Sequence, residues 1–285
     1  MVIARHAGGR LDIIDRRREM VRLGGGVVCG NRIEAETAGR ALACLEDFGR
    51  RLRELGARRV RAVGTNTLRR ARKDRQFLAR AEQALGHPID IIPGLEEARL
   101  VYLGAAHSES AQTGRRLVVD IGGGSTELAI GEGLTATHMH SLYIGCIGMS
   151  AEYFDSSLTA DGFSRARAAA LAELEPVSTG FRELGWRQAL GTSGTIRATA
   201  DILRAMDCAD GDITPARLTA IEARMTAAGS LERLALPGLT ADREPVYSGG
   251  LAILQAVCEG LGVKQLTASE GAMREGVLHD LLARS

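Results

Sequence analysis

The run over residues 117–130, LVVDIGGGSTELAI, limits what this chain can fold into more than any other stretch. Residues 117–119 are apolar and end in a carboxylate, Asp120. Gly122, Gly123 and Gly124 follow, then Ser125 and Thr126, and a second apolar, alternating stretch begins at once and carries Glu127. Alternation with period two predicts a strand after the turn, not a helix. Glycines let a backbone approach a ligand closely and aim its N–H groups inward, which suits phosphate. Asp120 and Glu127 repel a bare phosphate, but they can hold the Mg²⁺ that travels with one, or orient a water. The turn is no Walker loop, because no Gly-Lys-Ser/Thr follows, and no Rossmann turn, because no helix opens after it. A plain glycine hairpin with incidental charge fits the same residues, so this run suggests phosphate chemistry without establishing it.

The rest of the chain alternates strands and helices. Strands are expected at residues 1–4 and 10–15, with a turn at Gly8 and Gly9, and at 59–63 and 89–92. Apolar residues at Ala41, Leu42, Leu45, Phe48, Leu52 and Leu55 recur every three or four positions, which predicts an amphipathic helix over 36–55 stopped by Gly56. Further helices are expected at 74–85, 96–106, 164–184, 195–206, 215–227, 247–260 and 272–283, and a short strand at 264–267. Such alternation indicates an α/β fold. The polar segment 108–114, SESAQTG, marks a boundary between two lobes with a cleft between them.

Composition removes several classes. The 285 residues suffice for one large domain or two smaller ones, with a core that needs no staples. Five cysteines, at 29, 44, 146, 208 and 258, are scattered and include no Cys-x-x-Cys pair, which argues against disulfides and structural zinc and for a reducing cytoplasm. No apolar run reaches 18 residues and the start has too short an apolar stretch for a secretory signal, so no membrane association is expected. A formal net charge of +1 makes no case for nucleic acid, and none is expected as a partner. The arginine clusters at 16–18 and 69–75 read as solvated faces or as grips for a polyanionic substrate.

Three other segments carry chemistry. Residues 188–197, QALGTSGTIR, combine a strand, a Gly-Thr-Ser-Gly turn and a helix start. Helix N-termini bind anions, though Ser193 or Thr195 can instead cap the helix. Residues 61–69, RAVGTNTLR, place Arg69 after a strand and a polar turn, either to grip phosphate bidentately or as a surface arginine. Residues 93–99, PGLEEAR, set Glu96 and Glu97 at a helix start. A glutamate there can activate water for phosphoryl transfer, or simply favour the helix dipole. Of six histidines, the pair His138-x-His140 alone has a spacing that a metal could use.

Taken together, GTNTLRRA, GLEEARLVYLGA, VVDIGGGSTELAIG, LGTSGTIRA and SEGAMREGVL, in this order and at these intervals, closely resemble the exopolyphosphatase / guanosine pentaphosphate phosphohydrolase (Ppx/GppA) family over practically the whole chain. The resemblance implies the two-lobed actin-like (ribonuclease H-like) ATPase superfold, with residues 1–115 plus 270–285 as the first lobe and 116–269 as the second. It implies Mg²⁺-dependent release of terminal orthophosphate from inorganic polyphosphate, or of the 5′ γ-phosphate of guanosine pentaphosphate, by direct attack of water. Glu97 matches the glutamate that activates the water and Arg69 the active-site arginine. Asp120 and Glu127 match the acidic residues around metal and water, and Gly122, Gly123, Gly124, Ser125 and Thr126 the second phosphate loop. Gly191, Ser193 and Gly194 fall in the nucleotide-side turn. A homodimer is expected by analogy.

Two departures bear on these expectations. Family members usually begin with a strand and an Asp-Leu-Gly-Ser-Asn-Ser-like first phosphate loop just before the segment that MVIAR matches, and this sequence starts after it. A start codon placed too late is the expected reason, with a catalytically silent polyphosphate- or nucleotide-binding regulator as the rival reading. Long family members also carry C-terminal helical domains associated with grip on long polymers, so processivity on long chains is not expected. An actin-like sugar or acetate kinase fits less well, because it needs an ADP pocket.

Overall fold

A computed structural model describes the chain except for residues 8–9, 29–31, 72, 110–112, 156, 209 and 285. Strand β1 (Val2–Ala7) pairs antiparallel with β2 (Arg10–Arg16), and the two-residue strands β3 (Val27–Val28) and β4 (Arg32–Ile33) form a second small hairpin. Helix α1 (Ala35–Glu54) follows, with Thr37, Ala38, Ala41, Leu42, Gly49 and Leu52 on its buried face. Strand β5 (Ala62–Gly64) leads into a short helix α2 (Asn66–Arg70), then α3 (Arg75–Leu85), β6 (Ile89–Ile91) and α4 (Gly94–Ser108). Asp74 caps α3 by accepting from the Phe77 amide, and Gly86 ends it at φ 77°, a left-handed conformation that glycine adopts without strain. Strands β5 and β6 pair in parallel, and α1 packs on α3.

The rest of the chain is built on a five-stranded sheet. Its strands are β7 (Arg116–Ile121), β8 (Thr126–Glu132), β9 (Thr135–Leu142), then, after helices α5 (Cys146–Tyr153) and α6 (Ala160–Leu184), β10 (Gln188–Thr192). Helices α7 (Ser193–Ala205), α8 (Pro215–Ala228) and α9 (Glu244–Leu261) precede β11 (Thr267–Ala268), and α10 (Met273–Ala283) ends the chain. The order across the sheet is β11-β10-β7-β8-β9; β7, β8 and β9 are antiparallel and β10 and β11 run parallel to β7. β7 and β8 are covered on both faces, so their residues are buried almost without interruption, polar ones such as Thr126 and Glu127 included. One face meets α5, α6, α7 and α9 around Leu117, Val119, Leu128, Phe163, Phe181, Leu251 and Leu254. The other meets α4 through Val101, Tyr102 and Ala105 against Val118, Ala129 and Leu190.

Helix α10 returns to α4, and glycines make that return possible. A Cβ on Gly104 would collide with the Ala272 carbonyl, and one on Gly276 with the Leu100 carbonyl. Asp280 accepts from Arg99 Nη2 at 2.6 Å and from Arg61, fixing the far end of the helix.

The architecture agrees with the α/β expectation, with local corrections. The helix expected from residue 195 starts at Ser193, that from 164 at Ala160, that from 247 at Glu244, and that from 96 at Gly94. The polar turn before Arg69 is the helix α2, too short for a periodic signal. The terminal strand lies at Thr267–Ala268, not 264–267. The turn at Gly8 and Gly9, Cys29 and the middle of the 108–114 boundary lie outside the described residues. The described cysteines, Cys44, Cys146, Cys208 and Cys258, are all free thiols, and no described helix is long and apolar enough to cross a membrane.

Candidate active site

Strand register places the first two carboxylates. Asp120 and Glu127 stand directly opposite each other on β7 and β8. Glu127 in turn faces Ser141 on β9, whose hydroxyl donates to Glu127 Oε1 at 2.8 Å. The third carboxylate arrives on α4. Gly94, at the start of that helix, lies so close to β9 that a Cβ there would stand 2.5 Å from the Ser141 Cβ and Oγ. This approach swings Glu97 toward the sheet, where it is 8% exposed. Arg69 Nη1 donates to Glu97 Oε2 at 2.8 Å and to the Ile92 carbonyl at 2.9 Å. Arg69 is therefore no surface arginine; it joins α2 to the catalytic candidate on α4. The neighbouring Glu96 takes the structural role that both glutamates were open to: Arg99 clasps it with bonds of 2.7 and 2.8 Å.

Burial and mutual repulsion shift these acids. Desolvation lifts the Glu127 carboxyl to about 8, helped by the charges of Glu97 and Asp120 and opposed by the Ser141 hydroxyl. Asp120, enclosed at the cleft floor yet still in touch with solvent, rises to about 6 through burial and the charge of Glu97, with Arg197 opposing. Glu97 is also raised by burial, against the pull of Arg69. Three acids that resist ionisation together suit a cation. Among the described residues no three His, Cys, Asp or Glu side chains form a ready-made metal cage. Mg²⁺ does not require one, because it commonly takes one or two carboxylates plus substrate phosphates and waters. Asp120 and Glu127 fit that role. Near Asp120, the buried hydroxyls of Thr192 and Ser193 lie close enough to favour its ionised form, but neither makes a well-formed hydrogen bond among the described residues.

The glycine turn does its work through close approach. None of Gly122, Gly123 and Gly124 has positive φ. A Cβ on Gly123 would stand 2.8 Å from Ile147 Cδ1, and one on Gly124 2.7 Å from Asn66 Oδ1. The turn is closed by the Gly122 amide donating to the Ser125 carbonyl at 2.9 Å. The Gly122 and Gly123 carbonyls accept from the first amides of α5, Cys146 and Ile147, at 2.9 and 3.0 Å. With the carbonyls turned to α5, the amides of Gly123, Gly124 and Ser125 have no partner among the described residues. Amides left unpartnered in one turn are available to an anion. Thr126 instead braces the hairpin, donating through Oγ1 to the Ile144 carbonyl at 2.9 Å.

The 188–197 segment needs correction. Gly191 lies inside β10, hydrogen-bonded between β7 and β11, and its missing side chain makes room for Leu266 and Ile196. It is a packing position. Neither Ser193 nor Thr195 caps α7; the N-cap is Thr192, which makes no side-chain cap bond. Ser193 has φ 90°, a left-handed backbone that is strained for a serine, at the point where β10 turns into α7 beside Asp120. Gly194 lies under the Arg243 guanidinium, which a Cβ would displace. His138 packs edge-on against Phe181, with ring centroids 4.6 Å apart, and takes no part in the site.

Beside Gly194 lies a cavity of about 350 Å³ whose charged side chains are Arg17, Arg18, Arg197, Arg243 and Arg274 with one acid, Glu19. Burial and the charges of Arg197, Arg16 and Arg18 lower the Arg274 pKa. A concave surface with this charge is complementary to a polyanion. Sequence reasoning missed Arg197, Arg243, Arg274 and Ser141. The arginines sit on three separate elements, and Ser141 is one serine on a strand with no distinguishing neighbour.

The family model described as the Ppx/GppA phosphatase family matches residues 2–285. A guanosine-5′-triphosphate,3′-diphosphate pyrophosphatase of Vibrio cholerae is 41% identical over 283 residues, 99% of this chain and 56% of the relative. The chain thus spans about half the length of the curated relatives it matches. The crystal structure of an Aquifex aeolicus Ppx/GppA family member superposes with a TM-score of 0.80 at 25% identity, covering 99% of this chain and 93% of that one. That of an exopolyphosphatase from Cytophaga hutchinsonii gives a TM-score of 0.89 at 22% identity, covering 99% and 94%. With the glutamate, the arginine and the glycine turn assembled in one cleft and a family model matched almost from end to end, this chain belongs to the Ppx/GppA phosphatase family.

Proposed function

We propose that the chain hydrolyses a terminal phosphoanhydride bond, releasing orthophosphate by direct attack of water. The observation that carries this reading is Glu97, a buried carboxylate with a raised pKa, held by Arg69 beside Asp120, Glu127 and the unpartnered amides of the glycine turn. Glu97 accepts a proton from the water as its oxygen bonds to the terminal phosphorus. The bridging P–O bond then breaks and the shortened chain leaves with the electron pair. A carboxylate whose pKa is raised is, once ionised, a stronger base than an ordinary one. The amides of Gly123, Gly124 and Ser125 face the growing charge on the phosphoryl oxygens. Bound Mg²⁺, held by Asp120 and Glu127, would supply charge neutralisation between phosphate oxygens.

Inorganic polyphosphate is the proposed substrate, with the arginine-lined cavity receiving the part of the chain that is not cleaved. Guanosine pentaphosphate is the second reading, favoured by the name of the 41% identical Vibrio cholerae relative. The proposed division remains residues 1–115 plus 270–285 against 116–269, in a homodimer. The test is orthophosphate release from both substrates side by side, with Mg²⁺, in wild type and Glu97→Gln. Release that depends on Glu97 supports the hydrolase, and the ratio of rates chooses the substrate. Binding of either substrate without release would favour the silent regulator instead.

A further inference from the structure

A second cavity, of about 540 Å³, lies away from the reaction centre and is lined by Arg182, Trp186, Arg187, Lys264 and Gln265, among others. Its position follows from strand direction. Trp186 and Arg187 immediately precede β10, whose Gln188 pairs with Arg116, while Thr192 at the other end pairs with Asp120. At about 3.3 Å per residue, Arg187 lies roughly 16 Å along the strand from the level of Asp120. The two sites occupy opposite ends of the sheet.

Three cations and no acid line this cavity. Arg182 is held by its bonds to the Gly260 carbonyl at 2.7 Å and Thr179 Oγ1 at 3.2 Å. None of Arg182, Arg187 and Lys264 forms an ion pair with a carboxylate among the described residues. Their charge is therefore available to an anion. Trp186 is the single tryptophan of the chain, half-buried against the core of the five-stranded sheet while forming part of the cavity wall. An anchored indole offers a planar apolar surface for another ring, and arginine and lysine offer charge-assisted bonds to phosphate. A volume of this size accommodates a small molecule that carries both.

We infer that this cavity binds a nucleotide, its base against the Trp186 ring and its phosphate against Arg187 and Lys264. The site is separate from the proposed hydrolytic centre and does not depend on it.

The single tryptophan makes the test direct. Tryptophan fluorescence of the full chain is followed, without Mg²⁺, during titration with GMP, AMP, ribose 5-phosphate and inorganic phosphate. Wild type is compared with the Arg187→Glu/Lys264→Glu variant, both positions being exposed. Equilibrium dialysis with labelled GMP counts sites independently of fluorescence. The expected result is a saturable change with the nucleotides, weaker for ribose 5-phosphate and phosphate, and loss of one site by dialysis in the variant, with affinity down at least about tenfold, a change of about 1.4 kcal/mol. Equal response to phosphate alone would overturn the role of the ring. No saturable binding, or an unchanged number of sites after the double charge reversal, would overturn the site. None of these outcomes touches the Glu97-dependent assay.

Discussion

Replacing Glu127 by glutamine should make stability less sensitive to pH, and the structure sets the size of the effect. The Glu127 carboxyl has an ordinary value of 4.5 and is lifted to about 8 in the fold, chiefly by burial. Below 4.5 it is protonated whether the chain is folded or not, and folding carries no penalty. Between 4.5 and about 8 the folded state holds a proton that the unfolded state has lost, so stability falls as pH rises. Above about 8 the full penalty applies. At about 1.4 kcal/mol per pH unit the lift is worth at most about 5 kcal/mol. Relaxation and water entry lower this to about 2 kcal/mol at the least. Glutamine keeps the shape and can still accept from Ser141, but does not titrate. Urea unfolding of wild type and Glu127→Gln, without divalent cations, should show a difference that grows in favour of the variant by about 2–5 kcal/mol between pH 4.5 and pH 9. Saturating Mg²⁺ should shrink that difference, because a cation among the acids stabilises their ionised forms. A difference that stays constant across the range would refute the reasoning and place Glu127 in contact with more water than its burial implies.

Other perturbations separate the roles of the neighbouring residues. Glu97→Gln should lower the rate of phosphate release about 10²–10⁴-fold, the range for a lost general base, with an unchanged circular dichroism spectrum; full activity would remove Glu97 from the mechanism. Asp120→Asn should raise the Mg²⁺ concentration needed for half-maximal release, and an unaltered Mg²⁺ titration would refute a metal role. Gly94→Ala should push α4 off Ser141, costing about 1–3 kcal/mol in stability and reducing activity. Adding Ser141→Gly should restore stability by giving the new methyl room, and failure of that rescue would show that Gly94 matters for another reason.

The sequence by itself determined the periodic and local features. An apolar run made β7 legible before the glycine turn and an alternating one β8 after it, and spacings of three and four made α1 legible, because these patterns follow from which faces of each element are buried. Motif order was enough to associate Glu97, Arg69, Asp120 and Glu127 with one site, although they are spread over almost 60 residues of chain. The tertiary structure decided what depends on approach between distant elements. It brought Glu97, not Glu96, to the sheet by packing Gly94 on Ser141, and drew Arg69 into an ion pair with it. It showed that the turn glycines admit Ile147 and Asn66, not left-handed backbone, and that Gly191 is a sheet position. It also gathered the arginines of the cavity from separate elements. A sequence pattern records the face that a residue turns to its own element's neighbours. The distance between two faces, and with it burial, charge coupling and the shifted acids of this cleft, exists only once the elements have packed.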